Sequence, residues 1–329
     1  MYGYEIFHKD ILTELINTVH NEENRQAYLF TGPEGVGRHN AARLFANALV
    51  CQNPKSAPCG TCAACIGAKR DTNPDIMYIR PDGKKTISAE QARQIVTDAY
   101  IKPFESQKKV YIIEDGSVLN EFAQNCLLKI LEEPPEYVVF IIIATSESVL
   151  LQTVLSRCTL VRFPAVSESV MKDYIKTKYP DEIENINLLM GLAAGVPGVV
   201  DSILAHPDFN DLREKSFKML TPLLSSHRIS AYTICDFLEE NKENADMIMD
   251  FWQSFLRDIM VMQNSSDDKL LNIDMQEQLK NLAIRIPDEI PVIALEQIIR
   301  ARQMLRRFVN LHALGLNLSF SIKNRIYTR

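Results

Sequence analysis

Gly32-Pro33-Glu34-Gly35-Val36-Gly37-Arg38-His39 has the glycine spacing of a phosphate-cradling loop of the form G-x-x-x-x-G-K-[ST]. Glycines let successive backbone N–H groups converge on a phosphate, and a helix that starts just after them adds partial positive charge. Two chemical positions are changed. Arg38 stands where a compact lysine ammonium would sit between two phosphates, and a planar guanidinium does not replace it. His39 stands where a small hydroxyl would hold Mg²⁺, whereas imidazole favours softer metals and crowds such a site. Further along, Glu114-Asp115 follows the apolar run 110–113. A nucleotide-hydrolysing site of this type carries Asp and then Glu, the first for the magnesium and the second for the attacking water. Here the order is reversed, and the shorter Asp115 reaches less far. The sequence therefore predicts a degenerate cradle: Gly32, Gly35, Gly37, Arg38 and His39, with Glu114 and Asp115, keep its layout but not its hold on ATP.

A second constellation is Cys51, Cys59, Cys62 and Cys65, spaced Cys-x7-Cys-x2-Cys-x2-Cys. Four thiolates close a tetrahedral Zn²⁺ shell, and an iron–sulfur cluster also takes four. With every ligand supplied by the protein, no coordination position remains for a substrate, so the site is expected to be structural. Pro58, Gly60 and Gly67 are expected to provide turns around it. The total of seven cysteines is odd, which in a reducing compartment favours metal binding over disulfides. Cys126, Cys158 and Cys235 read as buried small hydrophobes.

These residues must be positioned by a chain of 329 residues, enough for two or three domains. A hydrophobic fraction of 46% with 24% charged residues is that of a globular protein with a core. The net charge of −6 argues against a chain that coats DNA by itself, so any DNA contact is expected to be local or shared with partners. No apolar run approaches the roughly 18–20 residues of a membrane span, and the N-terminus lacks a basic-then-apolar signal pattern. The expectation is a cytoplasmic protein without a membrane partner.

The first half alternates strand and helix signals. Short apolar runs at 27–31, 76–79, 110–113, 138–143 and 160–163 read as strands. The runs at 110–113 and 138–143 are continuous, which suits strands buried on both faces of a parallel sheet. Helices are expected around Leu12 to Val19, from about Arg38 to Val50, from Ser88 towards Ala99 with a Ser88/Gln91 capping box, and from Phe122 to Leu131, ended by Pro134-Pro135. After Phe163-Pro164 the periodicity is helical, with the turn Gly195-Val196-Pro197-Gly198 in a first small block. Phe251, Phe255, Leu256, Ile259 and Met260 form one core stripe, and Ile298, Ile299, Leu305, Phe308 and Val309 another. Asn264-Ser265-Ser266-Asp267-Asp268 reads as an exposed loop. Lys84-Lys85, Lys108-Lys109 and Arg306-Arg307 read as solvated faces.

Four segments occur in a telling order: Thr31-Gly32-Pro33-Glu34-Gly35-Val36-Gly37, Leu127-Leu128-Lys129-Ile130-Leu131-Glu132-Glu133-Pro134-Pro135, Ala144-Thr145 and Leu155-Ser156-Arg157-Cys158. Together they resemble the AAA+ module of bacterial clamp-loader subunits. The motifs cover about residues 20–165, and the helical remainder fits that family in layout. The resemblance implies an α/β AAA+ fold (a RecA-like parallel sheet, the P-loop NTPase fold) in residues 1–164 with a zinc insertion at 51–65, a small helical lid at 165–207 and an all-α oligomerisation collar at 208–329. It favours zinc for the four cysteines. It also gives Arg157 a role that a surface arginine would not have by itself, an arginine finger reaching in trans to the γ-phosphate of a neighbour's ATP. Thr145 falls on the family's sensor position. Gly198 stands where the family's ATPase subunits carry a phosphate-sensing arginine. The changed loop, the reversed acidic pair and this glycine together imply a stator subunit of DNA polymerase III, without ATP turnover of its own. Such a subunit assembles with gamma/tau and delta subunits and reaches the sliding clamp and primed DNA through the complex. The alternative is an active gamma/tau-like ATPase. A nucleic-acid-binding module that works without a clamp loader is a third reading.

Overall fold

The computed structural model describes residues 7–83, 85–224, 231–264, 270–305 and 310–327. Lys84, Ser265, Ser266, Asp267, Asp268, Arg306, Arg307, Phe308 and Val309, named above, lie outside the described residues, as does the N-terminal segment 1–6. Two compact units are present, one of residues 1–170 with 195–198 and one of residues 171–194 with 199–329.

In the first unit the strands are β1 (Ala27–Thr31), β2 (Ile76–Ile79), β3 (Lys109–Ile113), β4 (Val138–Ala144) and β5 (Thr159–Arg162). They form one parallel sheet in the order β2-β3-β4-β1-β5. Every residue of β1, β3 and β4 is buried. Because side chains alternate across a strand, such a strand must be apolar on both faces. Val110, Ile112, Val139, Ile141 and Ile143 pack on one side with Phe30 and Phe45. Tyr111, Ile113, Phe140 and Ile142 pack on the other with Ile95, Leu127 and Ile130. Helices α1 (Lys9–His20), α2 (Arg38–Leu49) and the short α3 (Ala63–Lys69) bury residues in the first of these cores. Helices α4 (Ala89–Ala99), α5 (Glu121–Glu132) and α6 (Gln152–Leu155) serve the second.

The helix starts follow side-chain capping. Ser88 accepts the amide of Gln91 at 3.2 Å, but the capping box is only half formed, because the Gln91 side chain donates instead to the Arg80 carbonyl at 2.6 Å. Asn120, not singled out in the sequence, caps α5 by accepting the amide of Ala123 at 2.9 Å. Gly67 lies inside α3, so it is helical and not a turn.

Lys109 is the clearest departure from the sequence reading. It is 6% exposed, not part of a solvated face. As the first residue of a central strand it is carried inward, and its ammonium is held by the Asp98 carboxylate at 2.8 Å and the Asp98 carbonyl at 3.0 Å. A buried charge persists only when paired in this way.

The second unit is helical: most of α7 (Glu168–Lys178), α8 (Ile186–Ala193), most of α9 (Pro197–Leu204), then α10 (Phe209–Leu224), α11 (Ala231–Glu240), α12 (Ala245–Gln263), α13 (Gln276–Arg285), α14 (Glu289–Leu305) and α15 (Leu311–Tyr327). Its core centres on α12, where Phe251, Phe255, Leu256 and Ile259 are fully buried as the stripe predicts, and Trp252, outside that stripe, is fully buried with them, whereas Met260 is only partly buried. On α14 the stripe is narrower than predicted: Ile298 is buried but Ile299 is 42% exposed, since adjacent residues point about 100° apart on a helix. Asp258, fully buried, accepts the amide of Asn272 at 2.7 Å and that of Leu271 at 3.0 Å, which pins the segment entering α13. Among the described residues, no helix is long and apolar enough to cross a membrane.

Candidate functional site

The C-terminal ends of parallel strands are where such sheets place their ligands. The glycine loop leaves β1, the acidic pair leaves β3, and the Arg38 side chain comes to the end of β4. The loop is correctly built. Gly37 adopts a left-handed conformation (φ 110°) and opens α2. The Val36 carbonyl accepts a hydrogen bond from the His8 ring at 3.0 Å, which anchors the loop to the segment before α1.

What fills the site is the chain itself. Arg38 is 3% exposed, and its guanidinium donates to the Ala144 carbonyl at the end of β4. Burial lowers its pKa from the ordinary arginine value, with the nearby Glu34 and Asp115 carboxylates acting in the opposite direction. A lysine in this place would extend towards a phosphate, whereas this arginine is spent on a strand end. His39 is exposed at the start of α2.

Both carboxylates after β3 are also engaged. Arg80, which follows β2, binds Glu114 with two donors, one of them Nη2 to Oε1 at 2.8 Å. This fork-to-carboxylate pair holds the Glu114 carboxyl below the usual range. Asp115 uses both oxygens on Ser117, accepting its amide at 2.8 Å and its hydroxyl at 2.8 Å, and so caps the short turn Gly116–Val118. Both side chains are thus held by neighbouring protein groups. Arg80 carried no signal in the sequence, since its partner is 34 residues away.

The turn 195–198 lies against the loop. The Gly198 amide donates to the Gly35 carbonyl at 2.9 Å. A Cβ on Gly198 would fall 2.7 Å from the Gly35 Cα and 2.8 Å from its oxygen. No side chain fits there, so an arginine at this position requires the turn to move off the loop. Gly198→Ala is expected to lower the unfolding free energy by about 1–3 kcal/mol through this overpacking. Urea denaturation of the purified chain checks it, and an unchanged midpoint would show that the turn yields freely.

Arg157 follows α6, itself joined to β4 by a short connection. Its Nη1 donates to the Thr153 carbonyl at 2.6 Å and the Ser156 hydroxyl at 3.2 Å, and its Nη2 lies 2.5 Å from Glu132 Oε1. The side chain is one-third exposed. Thr145, just past β4, is exposed. The partner Glu132 belongs to the Leu-Leu-Lys-Ile-Leu-Glu-Glu-Pro-Pro segment but was not picked out from the sequence.

The four cysteines meet. Cys51, Cys59, Cys62 and Cys65 place their sulfurs within 4.8 Å of one another, with Cys59 and Cys65 at 4.0 Å. A tetrahedral Zn²⁺ with Zn–S of about 2.3 Å sets its sulfurs roughly 3.8 Å apart, so the four residues fit a single metal ion. Among the described residues they are the one group of His, Cys, Asp or Glu found that could hold a metal. Cys51 lies just past the C-cap of α2 and Cys62 caps α3, so the cluster joins the segments flanking the two helices. The amide and hydroxyl of Thr61 favour the Cys59 thiolate and push that thiol down to about 5, while burial raises Cys51 and Cys65. The remaining cysteines are less uniform than expected: Cys235 is buried, but Cys126 and Cys158 are only partly so. Burial pushes the Cys158 thiol up to about 11.

A parallel sheet of this order, a glycine loop between β1 and α2, acidic residues after β3 and an arginine after β4 and its short helix define an AAA+ module, here followed by an all-α region. Two family models match the chain, DNA polymerase III, delta subunit, over residues 7–167, and DNA polymerase III, delta subunit, C terminal, over residues 207–314. The DNA polymerase III subunit delta' of Bacillus subtilis is 26% identical over 92% of this chain and 92% of that protein. The subunit delta' of Pseudomonas aeruginosa is 33% identical, covering 53% of this chain and 54% of its own length. The subunit tau/gamma of Haemophilus influenzae is 36% identical over 50% of this chain but only 24% of its own length. A Thermotoga maritima structure described as a DNA polymerase III, gamma subunit-related protein has 18% identity and a TM-score of 0.46, covering 95% of this chain and 98% of that one. The chain belongs to the DNA polymerase III delta-subunit family, on the delta-prime side of it.

Proposed function

We propose that this chain is the stator of a clamp loader. It assembles with gamma/tau and delta subunits, binds no ATP in its own cradle, and offers Arg157 to the ATP site of a neighbour. The sliding clamp and primed DNA are reached through the complex, in the cytoplasm. The single observation that carries this reading is Arg38, buried and bonded to the Ala144 carbonyl where a nucleotide-binding lysine would reach for phosphate. The engagement of Glu114 by Arg80, of Asp115 by Ser117, and of the Gly35 carbonyl by Gly198 supports it.

Arg157 suits a trans role because a guanidinium stays charged and can form two parallel hydrogen bonds to phosphate oxygens. A neighbour's ATP would supply the reacting phosphate, and this chain only the stabilising charge. We assign zinc to the four cysteines, since one ion accounts for the sulfur spacing, whereas a multi-iron cluster would spread its thiolates over separate atoms. We also propose the division into an AAA+ domain at 1–164, a lid at 165–207 and a collar at 208–329.

Titration of the purified chain with a fluorescent ATP analogue tests the inert cradle, with metal content measured in the same sample. No saturation in the micromolar range is expected. Saturable, magnesium-dependent binding with turnover would instead identify a gamma/tau-like ATPase.

A further inference from the structure

Glu132 ends α5, and an acidic side chain in the last turn of a helix sits at the unfavourable end of the helix dipole. Its pair with Arg157 does little to compensate. Glu132 is 49% exposed and Arg157 32%, and ion pairs so open to water add little to stability. Fold stability therefore does not explain why an acid stands here. Local choices that conflict with the fold concentrate at functional positions.

The geometry around Arg157 supplies a reason. Three hydrogen bonds hold its guanidinium: Nη1 to the Thr153 carbonyl, Nη1 to the Ser156 hydroxyl and Nη2 to Glu132. Two of these acceptors lie on the short α6 segment, next to Arg157 in sequence. Only Glu132 reaches in from another helix, 25 residues away. A guanidinium has five N–H donors. Among the described residues its Nε–H makes no hydrogen bond, and Nη2 has a hydrogen to spare, so donors remain for a phosphate oxygen.

We propose that Glu132 is a positioning residue for Arg157. It preorganises the guanidinium so that the remaining donors are presented in trans with less rotamer freedom to lose. Preorganised charge is the form in which such groups stabilise a transition state most. This inference rests on the reading of Arg157 as an arginine finger.

The test uses the full chain in the reconstituted complex with its gamma/tau and delta partners, clamp and primed DNA, with the other ATP sites inactivated. Kinetics are measured for Glu132→Ala, Glu132→Gln, Arg157→Ala and the double variant. Glu132→Ala is expected to lower kcat at the site facing Arg157 by about tenfold, with KM for ATP little changed. Glu132→Gln, which keeps an acceptor oxygen, is expected to restore most of that loss. In the Arg157→Ala background, Glu132→Ala is expected to do nothing further, because residues acting as one unit are not additive. Thermal melting of the isolated variants should match that of the unaltered chain. Unchanged kcat in Glu132→Ala alongside a large loss in Arg157→Ala overturns this proposal alone, as does a fully additive double variant. Unchanged kcat in Arg157→Ala overturns the finger reading and this proposal with it.

Discussion

Arg157→Ala is expected to lower ATP turnover at the facing site of the assembled clamp loader by on the order of 10³-fold, the lower end of what arginine fingers supply. The isolated chain is expected to fold and melt as before, because the side chain is partly exposed and its one ion pair is open to solvent. Assembly with the partner subunits is likewise expected to persist, since a single partly exposed side chain just after α6 is removed. Arg157→Lys is expected to recover little. An ammonium keeps the charge but cannot hold Glu132 and a phosphate oxygen with fixed, coplanar donors. Single-turnover hydrolysis in the reconstituted complex is the measurement, with the other sites silenced so that they do not mask the loss. A variant complex that hydrolyses at the normal rate would assign Arg157 to the local structure of α6 and nothing more.

Loss of the metal is the second large effect. Cys51 and Cys65 are each 1% exposed, and the cluster joins the end of α2 to the start of α3. His20 on α1 reaches the same segment, contacting the Ala57 carbonyl at 2.8 Å. Without an ion, four sulfurs would face one another with nothing to bind them. Structural zinc contributes folding free energy directly, about 10–16 kcal/mol in small zinc peptides. Here the sheet has its own core, so only the segment between α2 and α3 depends on the ion. Cys65→Ser is expected to abolish stoichiometric zinc and to cost the first unit about 3–5 kcal/mol, or roughly 10 °C in Tm for a unit of this size. Metal analysis with calorimetry checks both. Full stability in a zinc-free variant would show that the cysteines need no metal. The two effects are separable, since Cys65→Ser acts on folding and Arg157→Ala on a partner's chemistry.

What the sequence determined by itself was local or compositional. The runs at 110–113 and 138–143 suited strands buried on both faces, because neither face carries the polar residues water requires. The glycine loop declared its place between β1 and α2, and its two exchanged residues are the ground on which we propose that it holds no ATP. Four cysteines within fifteen residues pointed to a group that could hold a metal, and the fold brings their sulfurs within 4.8 Å of one another. Each of these conclusions rests on neighbours a few positions apart, which the chain's own geometry brings together.

Tertiary structure decided the partners. Arg38 bonds to a carbonyl 106 residues away, Arg80 to Glu114 across 34, and Arg157 to Glu132 across 25. Lys109 looked like half of a solvated pair until the sheet carried it inward onto Asp98. Gly198 looked like a missing arginine, and the fold shows a position with no room for a side chain. The physical reason is common to the four charged residues. A charged group's fate is set by what desolvates it and what pairs with it, and both are properties of distant segments that only the packed sheet brings within hydrogen-bond reach.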